Sequence, residues 1–318
     1  MAQESYEQPL VRRSARIAKQ AVPPTTASTT DTNTPSPTNR IATLPPAASL
    51  TANATGFSKR DITLLQRKQR LLQQQSQSQF QSTSSLTTAQ QTALAATLVF
   101  AQHEAGTAFC ISREGLLLTC AHCVAETVEE SRTVKDKEIY LLFAGGRVVA
   151  ARCVAWDGVR DLALLQITAS QPSPPPLSTT TSITGTITSD SEFVFPYVDI
   201  APAAPAASTR VFCIGHPGSE DLESSTARAT NYDVLHVSGG RYYGVADGAN
   251  VHDNSEIGAL MHDCWTYWGH SGAAVCLARS GGVVGVHSSW DEGTGMRRGV
   301  AWEAIVGFLR ERGVVLDL

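Results

Sequence analysis

The chain has 318 residues and a formal net charge of −4, and only 17% of its residues are charged. This acidic balance excludes a nucleic-acid-binding surface that covers the whole chain, because such a surface would be basic. The longest apolar run, at residues 93–101, is too short for a membrane-spanning helix, which needs about 18 residues or more.

Residues 1–90 are predicted to be a disordered, low-complexity tail. They are dominated by Ser, Thr, Pro, Gln and Ala, and they carry 10 basic and 4 acidic residues, a net charge of +6. The remaining 15 basic and 25 acidic residues give residues 91–318 a charge of −10. A basic tail is therefore expected to precede an acidic domain.

One helix is predicted within this tail, at residues 61–75. Ile62, Leu65 and Leu72 are spaced so that they fall on one face of such a helix. Docking of that face on the domain is one interpretation. The interpretation we favour is a frayed helix surrounded by solvent.

The first residues bear on where the protein works. They include no apolar stretch of a secretory signal, so we expect an intracellular protein, cytoplasmic or nuclear, with its seven cysteines as free thiols. Glu4 and Glu7 disfavour a mitochondrial transit peptide. A nuclear-import signal, a weak nucleic-acid contact and solvated charge are all open interpretations of one basic cluster, which consists of Arg12, Arg13, Arg16 and Lys19.

From about residue 92 the sequence changes to short β-like runs separated by Gly and polar turns. The runs include GTAFCIS, GLLLTCA, EIYLLFA, LALLQI, RVFCIGH and GVVGVHS. No helical pattern alternates with them, so they favour an all-β antiparallel barrel or sandwich over a parallel α/β sheet. The composition also predicts a short helix near 121–129, a Pro/Ser/Thr-rich surface insertion at about 170–208, and a C-terminal helix at 303–312.

Three short segments carry residues that suit nucleophilic catalysis, although each residue alone is more often structural. His122 follows a hydrophobic strand in a turn of small residues, where rigid backbone would hold an imidazole that can accept a proton. Asp161 precedes an apolar strand, where a buried carboxylate can orient an imidazole. Ser271 lies between Gly269 and Gly272, which allow the tight turn that an oxyanion hole requires.

Together these segments resemble the trypsin-like serine peptidases of the chymotrypsin fold, and in particular their Deg/HtrA-like branch. The matching motifs extend over roughly residues 93–312, in the chain order His, Asp, Ser: GTAFCI, LTCAHCV, DLALL, IGHPG, GHSGAAV and GVVGVHS. The resemblance implies a double six-stranded antiparallel β-barrel with the active site in the cleft between the barrels. It also implies a serine endopeptidase that acts on proteins or peptides without a metal or an organic cofactor.

The resemblance implies a role for each matching residue. His122 would be the general base, Asp161 its orienting carboxylate and Ser271 the nucleophile. The backbone N–H groups of Gly269 and Ser271 would form the oxyanion hole. Asp157 is a rival for the acid, and we prefer Asp161 because it directly precedes the apolar strand.

Two departures from the family pattern concern activation and specificity. His270 occupies the position before the nucleophile where trypsin-like enzymes usually carry Asp, so activation by a freed amino terminus is not expected. Trp265 stands where trypsin has its pocket Asp, so cleavage after Lys or Arg is not expected either. Trp265, Tyr267 and His287 are the candidate specificity-pocket residues. Viral 3C-like enzymes use a comparable histidine to read glutamine, although packing is the role we favour for His287.

Other functions remain open at this point. A pseudoprotease that keeps the barrels as a protein-binding scaffold is the main alternative, motivated by the unusual HSGAA segment. The CxxC spacing of Cys120 and Cys123 has no second cysteine or histidine pair, so no zinc site is expected. Only six residues follow Arg312, and we therefore expect no C-terminal PDZ domain of the HtrA type.

Overall fold

A computed structural model describes residues 41–51, 56–81, 86–101, 106–172, 193–219 and 228–316. The chain enters through a short strand and two helices: β1 (Ala42–Thr43), α1 (Lys59–Gln81) and α2 (Thr88–Ala96). The basic cluster predicted in the tail lies outside the described residues. None of the described helices combines the length and the apolar character needed to cross a membrane.

The first barrel is a ring of antiparallel strands in the order β7-β4-β3-β2-β5-β6, closed by pairing between β6 and β7. Its strands are β2 (Thr97–Phe100), β3 (Thr107–Cys110), β4 (Leu116–Thr119), β5 (Ile139–Phe143), β6 (Val148–Asp157) and β7 (Leu162–Ser170). Every residue of β2, β3 and β5 is buried, which explains why these strands are continuous apolar runs in the sequence. Strand β1 adds to the outside of this ring by parallel pairing with β7.

The second barrel has the closed order β10-β13-β12-β11-β8-β9. Its strands are β8 (Arg210–Gly215), β9 (His236–Val245), β10 (Leu260–His262), β11 (Ala274–Leu277), β12 (Val283–Trp290) and β13 (Arg297–Ala301). Two further helices complete the fold: α3 (Val128–Val134) between β4 and β5, and the C-terminal α4 (Trp302–Glu311). Helix α4 buries Ile305, Phe308 and Leu309 and exposes the opposite face.

The predicted fold class is confirmed: two six-stranded antiparallel barrels are followed by a C-terminal helix. The helix expected near 121–129 is instead a 3-10 turn at Ala121–Cys123, followed by α3. All seven cysteines are unpaired.

The predicted surface insertion needs correction in its second half. Residues 173–192 lie outside the described residues. Phe195, Val198 and Ile200, however, are buried in the main hydrophobic core. Backbone bonds from Phe195 N to Arg113 O and from Val198 N to Cys110 O, both 3.0 Å, hold this stretch on the first barrel. The composition of this stretch indicates a surface loop because Pro and Ala residues surround these apolar side chains.

The favoured interpretation of the helix in the tail is wrong, because α1 packs against the barrels. Leu65 and Leu72 are only 0% and 1% exposed. Polar side chains add long-range bonds: Lys68 Nζ donates to Phe100 O at 2.7 Å, and Gln75 Nε2 donates to Leu235 O at 2.6 Å. Phe100 lies in the first barrel and Leu235 directly precedes a strand of the second, so α1 connects the two.

Candidate active site

His122 lies in the 3-10 turn that directly follows β4. The turn is fixed from outside, because Trp156 Nε1 donates to the carbonyl oxygens of Ala121 at 3.0 Å and Ala125 at 3.2 Å. The side chain of His122 keeps 36% of its surface exposed. Rigid backbone thus presents a partly accessible imidazole, as the sequence pattern predicts.

Asp161 is the carboxylate that meets this imidazole. Its oxygens lie 2.9 and 3.0 Å from His122 Nδ1, and Oδ1 also accepts the backbone N–H of His122 at 3.2 Å. Asp161 is buried and adopts a φ of +55°, in the left-handed region that side chains seldom occupy. The rival Asp157 instead accepts the N–H groups of Val159 and Arg160 and stabilises their turn.

The pair sets the protonation of the imidazole. Burial lowers the pKa of His122, but the neighbouring Asp161 carboxylate and Cys123 side chain together raise it more, by their charges and hydrogen bonds. The net result is a pKa well above the ordinary value for histidine. An imidazolium formed at this position is therefore stabilised.

Ser271 lies in the turn that precedes β11 of the second barrel, and this turn contacts the first barrel. Thr107 of β3 donates its N–H to Ser271 O at 2.9 Å, and the thiol of Cys123 donates to the same oxygen at 3.4 Å. Because Cys123 directly follows His122, this contact places the serine and the imidazole in one site. Gly272 has a φ of +85°, and a Cβ there would collide with Thr107 O, so only glycine fits.

The hydroxyl of Ser271 is bonded to backbone. Its Oγ donates to Ser288 O in β12 at 3.2 Å. Within the described part of the chain, no hydrogen bond joins Ser271 Oγ to His122. Ser288 was not singled out from the sequence, since only the pairing of strands around the turn reveals it.

The backbone around Ser271 leaves two N–H groups available. Trp268 O accepts the N–H of Gly218 at 2.6 Å, and Gly269 O accepts the Thr107 hydroxyl at 2.9 Å. Both carbonyl groups are thereby held by donors elsewhere in the fold. In the ranges that the structure covers, the N–H groups of Gly269 and Ser271 have no acceptor. An anionic oxygen beside Ser271 could take both hydrogen bonds.

The three candidate pocket residues fall into two groups. Trp265 and Tyr267 stack at 6.3 Å between ring centroids, and both contact Tyr232 edge to face. His287 is instead buried in the second barrel, where its Nδ1 lies 3.1 Å from Nε2 of His262. No local sequence pattern marks His262, because its partner comes from a different strand.

One set of neighbouring groups has the residue types of a metal site. Atoms of Cys120, His122 and Asp161 all lie within 4.8 Å of one another. Burial raises the pKa of Cys120 well above its ordinary value, and the charge of Asp161 raises it further. The protonated thiol donates to His287 O at 3.4 Å, and a thiol that keeps its proton is a poor metal ligand. This donor set therefore does not fit a metal ion.

Comparison with known proteins identifies the family of this chain. A family model described as a trypsin-like peptidase domain matches residues 106–286. No curated protein matches the chain. Among solved structures, it is similar to an inactive form of Rv3671c from M. tuberculosis H37Rv, with 16% identity, 73% of this chain and 93% of that chain covered, and a TM-score of 0.47. It is also similar to the serine endoprotease from Yersinia pestis, with 18% identity, 73% and 68% coverage, and a TM-score of 0.47.

Proposed function

The chain belongs to the trypsin-like peptidase family, and from this premise we propose that it is a serine endopeptidase that works through an acyl-enzyme. Its substrates are proteins or peptides. The observation that carries the proposal is the pair formed by His122 Nδ1 and the buried Asp161 carboxylate, at 2.9 Å, in the same site as Ser271.

In the proposed reaction His122 is the general base. Rotation of the Ser271 side chain moves Oγ away from Ser288 O and toward His122 Nε2. As Oγ attacks the substrate carbonyl carbon, its proton passes to Nε2, and Asp161 stabilises the imidazolium through Nδ1. The raised pKa of His122 favours this protonated state, so activity rises as the pH increases through that pKa.

The developing oxyanion is stabilised by the N–H groups of Gly269 and Ser271. Collapse of the tetrahedral intermediate breaks the peptide C–N bond, and the imidazolium gives its proton to the leaving amine. Water then attacks the acyl-enzyme with His122 again as base, which releases the new carboxylate and restores the Ser271 hydroxyl. No cofactor takes part in these steps.

One observation favours a second candidate, a pseudoprotease that binds partners without cleaving them. Ser271 Oγ donates to Ser288 O at 3.2 Å, and this bond keeps the hydroxyl proton away from the base. If the bond persists with substrate bound, the barrels act as a scaffold alone. The two candidates therefore differ in whether Ser271 can be activated.

A fluorophosphonate probe, which phosphonylates only activated serines, distinguishes them. We expect the wild-type chain to be labelled and to degrade a denatured protein substrate. Ser271→Ala should lose both properties while its circular dichroism spectrum stays unchanged. Ser131→Ala, at a partly exposed position on α3, is the matched control and should behave as wild type. Absence of labelling in a folded wild-type chain would favour the scaffold.

Two further proposals concern the first residues of the sequence. An intracellular location, cytoplasmic or nuclear, is supported by the basic cluster around Arg12 and Lys19. A weak nucleic-acid contact is supported by the same cluster. Deletion of residues 1–20 tests both, with localisation in cells and retention on heparin as the measurements.

A further inference from the structure

The second barrel contains a concentration of buried polar atoms that have no partner. Among the described residues, six buried side-chain N or O atoms lack a hydrogen bond, and five of them lie close in the fold to Ser271. Those five are His262 Nδ1, Thr266 Oγ1, Trp268 Nε1, His270 Nε2 and Arg297 Nε, and the sixth is Glu303 Oε2. Buried polar groups are nearly always paired, so this concentration calls for a missing ligand.

Two of these five residues, His262 and Arg297, lie on one face of the β10-β13-β12 sheet. Arg297 lies directly opposite His262 on one side and Trp290 on the other, and side chains at paired positions point the same way. His287 is paired with Gly299, two residues from Arg297, and therefore shares that face. We name this group the donor wall. It consists of the strand residues His262, His287, Trp290 and Arg297, with Thr266 and Trp268 from the loop before Ser271.

Thr266 joins the wall through Arg297. The guanidinium Nη2 donates to Thr266 O at 3.4 Å, while Nη1 donates to Gly295 O at 2.8 Å. Both acceptors are neutral. Across the described ranges, no carboxylate lies within ion-pair distance of Arg297, so its charge has no direct partner in the wall. The nearby Asp263 is already held by Arg241 N at 2.6 Å and by the Tyr243 hydroxyl at 2.9 Å.

The two histidines of the wall are neutral, and one of them supplies a donor. Burial lowers the pKa of His262 to about 3 and lowers that of His287 well below its ordinary value, so each ring carries one N–H. If His262 Nε2 donates to His287 Nδ1, the unpaired Nδ1 of His262 carries no proton and is an acceptor. Burying an unpaired acceptor costs less free energy than burying an unpaired N–H. The remaining N–H of His287 is then on Nε2 and is free for a ligand.

The donor wall adjoins the nucleophile. His287 directly precedes Ser288, whose carbonyl oxygen receives the Ser271 hydroxyl, and His287 O accepts the N–H of Gly272 at 2.9 Å. Trp268 and Trp290 contact each other edge to face at 4.8 Å and supply apolar surface beside the polar groups. The substrate residue whose carbonyl carbon is attacked would therefore place its side chain against Trp268 and Trp290 first. The hydrogen-bond donors of the wall would lie beyond these two rings.

We propose that the donor wall is the specificity site and that it binds the carboxylate of an acidic side chain, so that the enzyme cleaves after glutamate. This inference rests on the proposed endopeptidase function. Donors alone would accept a carboxylate or an amide, and the unpaired charge of Arg297 favours the carboxylate. Thr266 and His287 are only 3% and 2% exposed, so we expect the longer side chain of glutamate to suit the site better than that of aspartate. The same positive charge disfavours Lys and Arg.

The test uses peptides that differ only in the residue before the cleaved bond: Glu, Gln, Asp, Leu or Arg. For the wild-type chain, kcat/KM should be about tenfold higher for Glu than for Gln and about 100-fold higher than for Arg. Thr266→Val, which keeps the shape but removes the hydroxyl, should lower the Glu to Leu ratio about tenfold. Arg297→Gln should bring the Glu to Gln ratio close to one.

Controls separate this inference from the proposed function. Arg279→Gln removes an exposed charge of the same barrel and should keep the wild-type ratios. Thermal unfolding of each variant shows whether it is folded. If the probe labels Ser271 but Gln, Leu or Arg is cleaved as well as Glu, the glutamate assignment is overturned and the peptidase remains. If the folded wild-type chain is neither labelled nor active on any peptide, both proposals fail.

Discussion

Arg160 and Glu311 form two parallel hydrogen bonds of 2.6 Å each, from Nη1 and Nη2 to the two carboxylate oxygens. Arg160 directly precedes Asp161, and Glu311 is the last residue of α4. The ion pair thus ties the loop of the proposed catalytic acid to the C-terminal helix. Arg160 Nη1 also donates to Asp157 Oδ2 at 3.3 Å. Because Asp161 occupies a strained backbone conformation, its position depends on such external supports.

Glu311→Gln should lower kcat about threefold and leave KM unchanged, because Asp161 shifts by far less than the 1 Å that can cost about 100-fold. Glu311 is half exposed, so salt should screen its attraction to Arg160. Wild-type kcat should then fall toward that of the variant as the salt concentration rises. Glu292→Gln, at an exposed turn, is the control and should match wild type. Equal kcat values for wild type and Glu311→Gln at low salt would contradict a positioning role.

Gly272→Ala should destabilise the fold by about 3–5 kcal/mol, because it combines backbone strain at a φ of +85° with a collision. The added Cβ would meet Thr107 O and Thr119 Oγ1, both in the first barrel. Gly295→Ala is the matched control, since its φ is +71° but nothing lies within 4 Å of an added Cβ. That variant should lose only about 1–2 kcal/mol. Urea unfolding measures both, and equal losses would show that the barrels can move apart at Gly272.

Leu72→Ala tests the packing of α1 and should cost about 2–5 kcal/mol of unfolding free energy, as expected for a fully buried leucine. Leu71→Ala is its control, because the adjacent Leu71 is 38% exposed and its loss should change stability by only about 0.5 kcal/mol. Chemical denaturation compares the two. Small and equal effects would mean that α1 does not contribute to the folded domain.

The residues that carry chemistry could be predicted because each lies beside a strand end with a distinctive local pattern. His122 follows β4, Asp161 precedes β7 and Ser271 precedes β11, so short motifs locate all three. Closed barrels were likewise predictable from short, closely spaced apolar runs.

Other features depend on contacts that local patterns do not record. Lys68 and Gln75 dock α1 through polar side chains, which hydrophobic periodicity cannot detect. Ser288 and Arg297 acquire their roles from strand register, because β12 and β13 bring them beside residues distant in sequence. Thr266 lies between Trp265 and Tyr267, and only its burial without a hydrogen-bond partner distinguishes it.

The buried histidines of the second barrel should make the fold sensitive to acid. Burial lowers the pKa of His262 and of His270 to about 3, below the value of about 6.5 that applies to an unfolded chain. A folded-state pKa that is depressed contributes stability at a pH above 6.5, and this contribution is lost as the pH falls toward 3. Each such histidine should cost about 1.4 kcal/mol per pH unit below 6.5.

His262→Gln removes one of these titrations while keeping an amide that can donate to His287. Between pH 7.5 and pH 5.0 the wild-type unfolding free energy should therefore fall by about 2 kcal/mol more than that of the variant. Urea unfolding at both pH values measures the difference, and His252→Gln, at an exposed histidine, controls for the loss of an imidazole. Equal losses in wild type and His262→Gln would mean that the pKa of His262 is not lowered in the folded protein, which would contradict a neutral imidazole pair at this position.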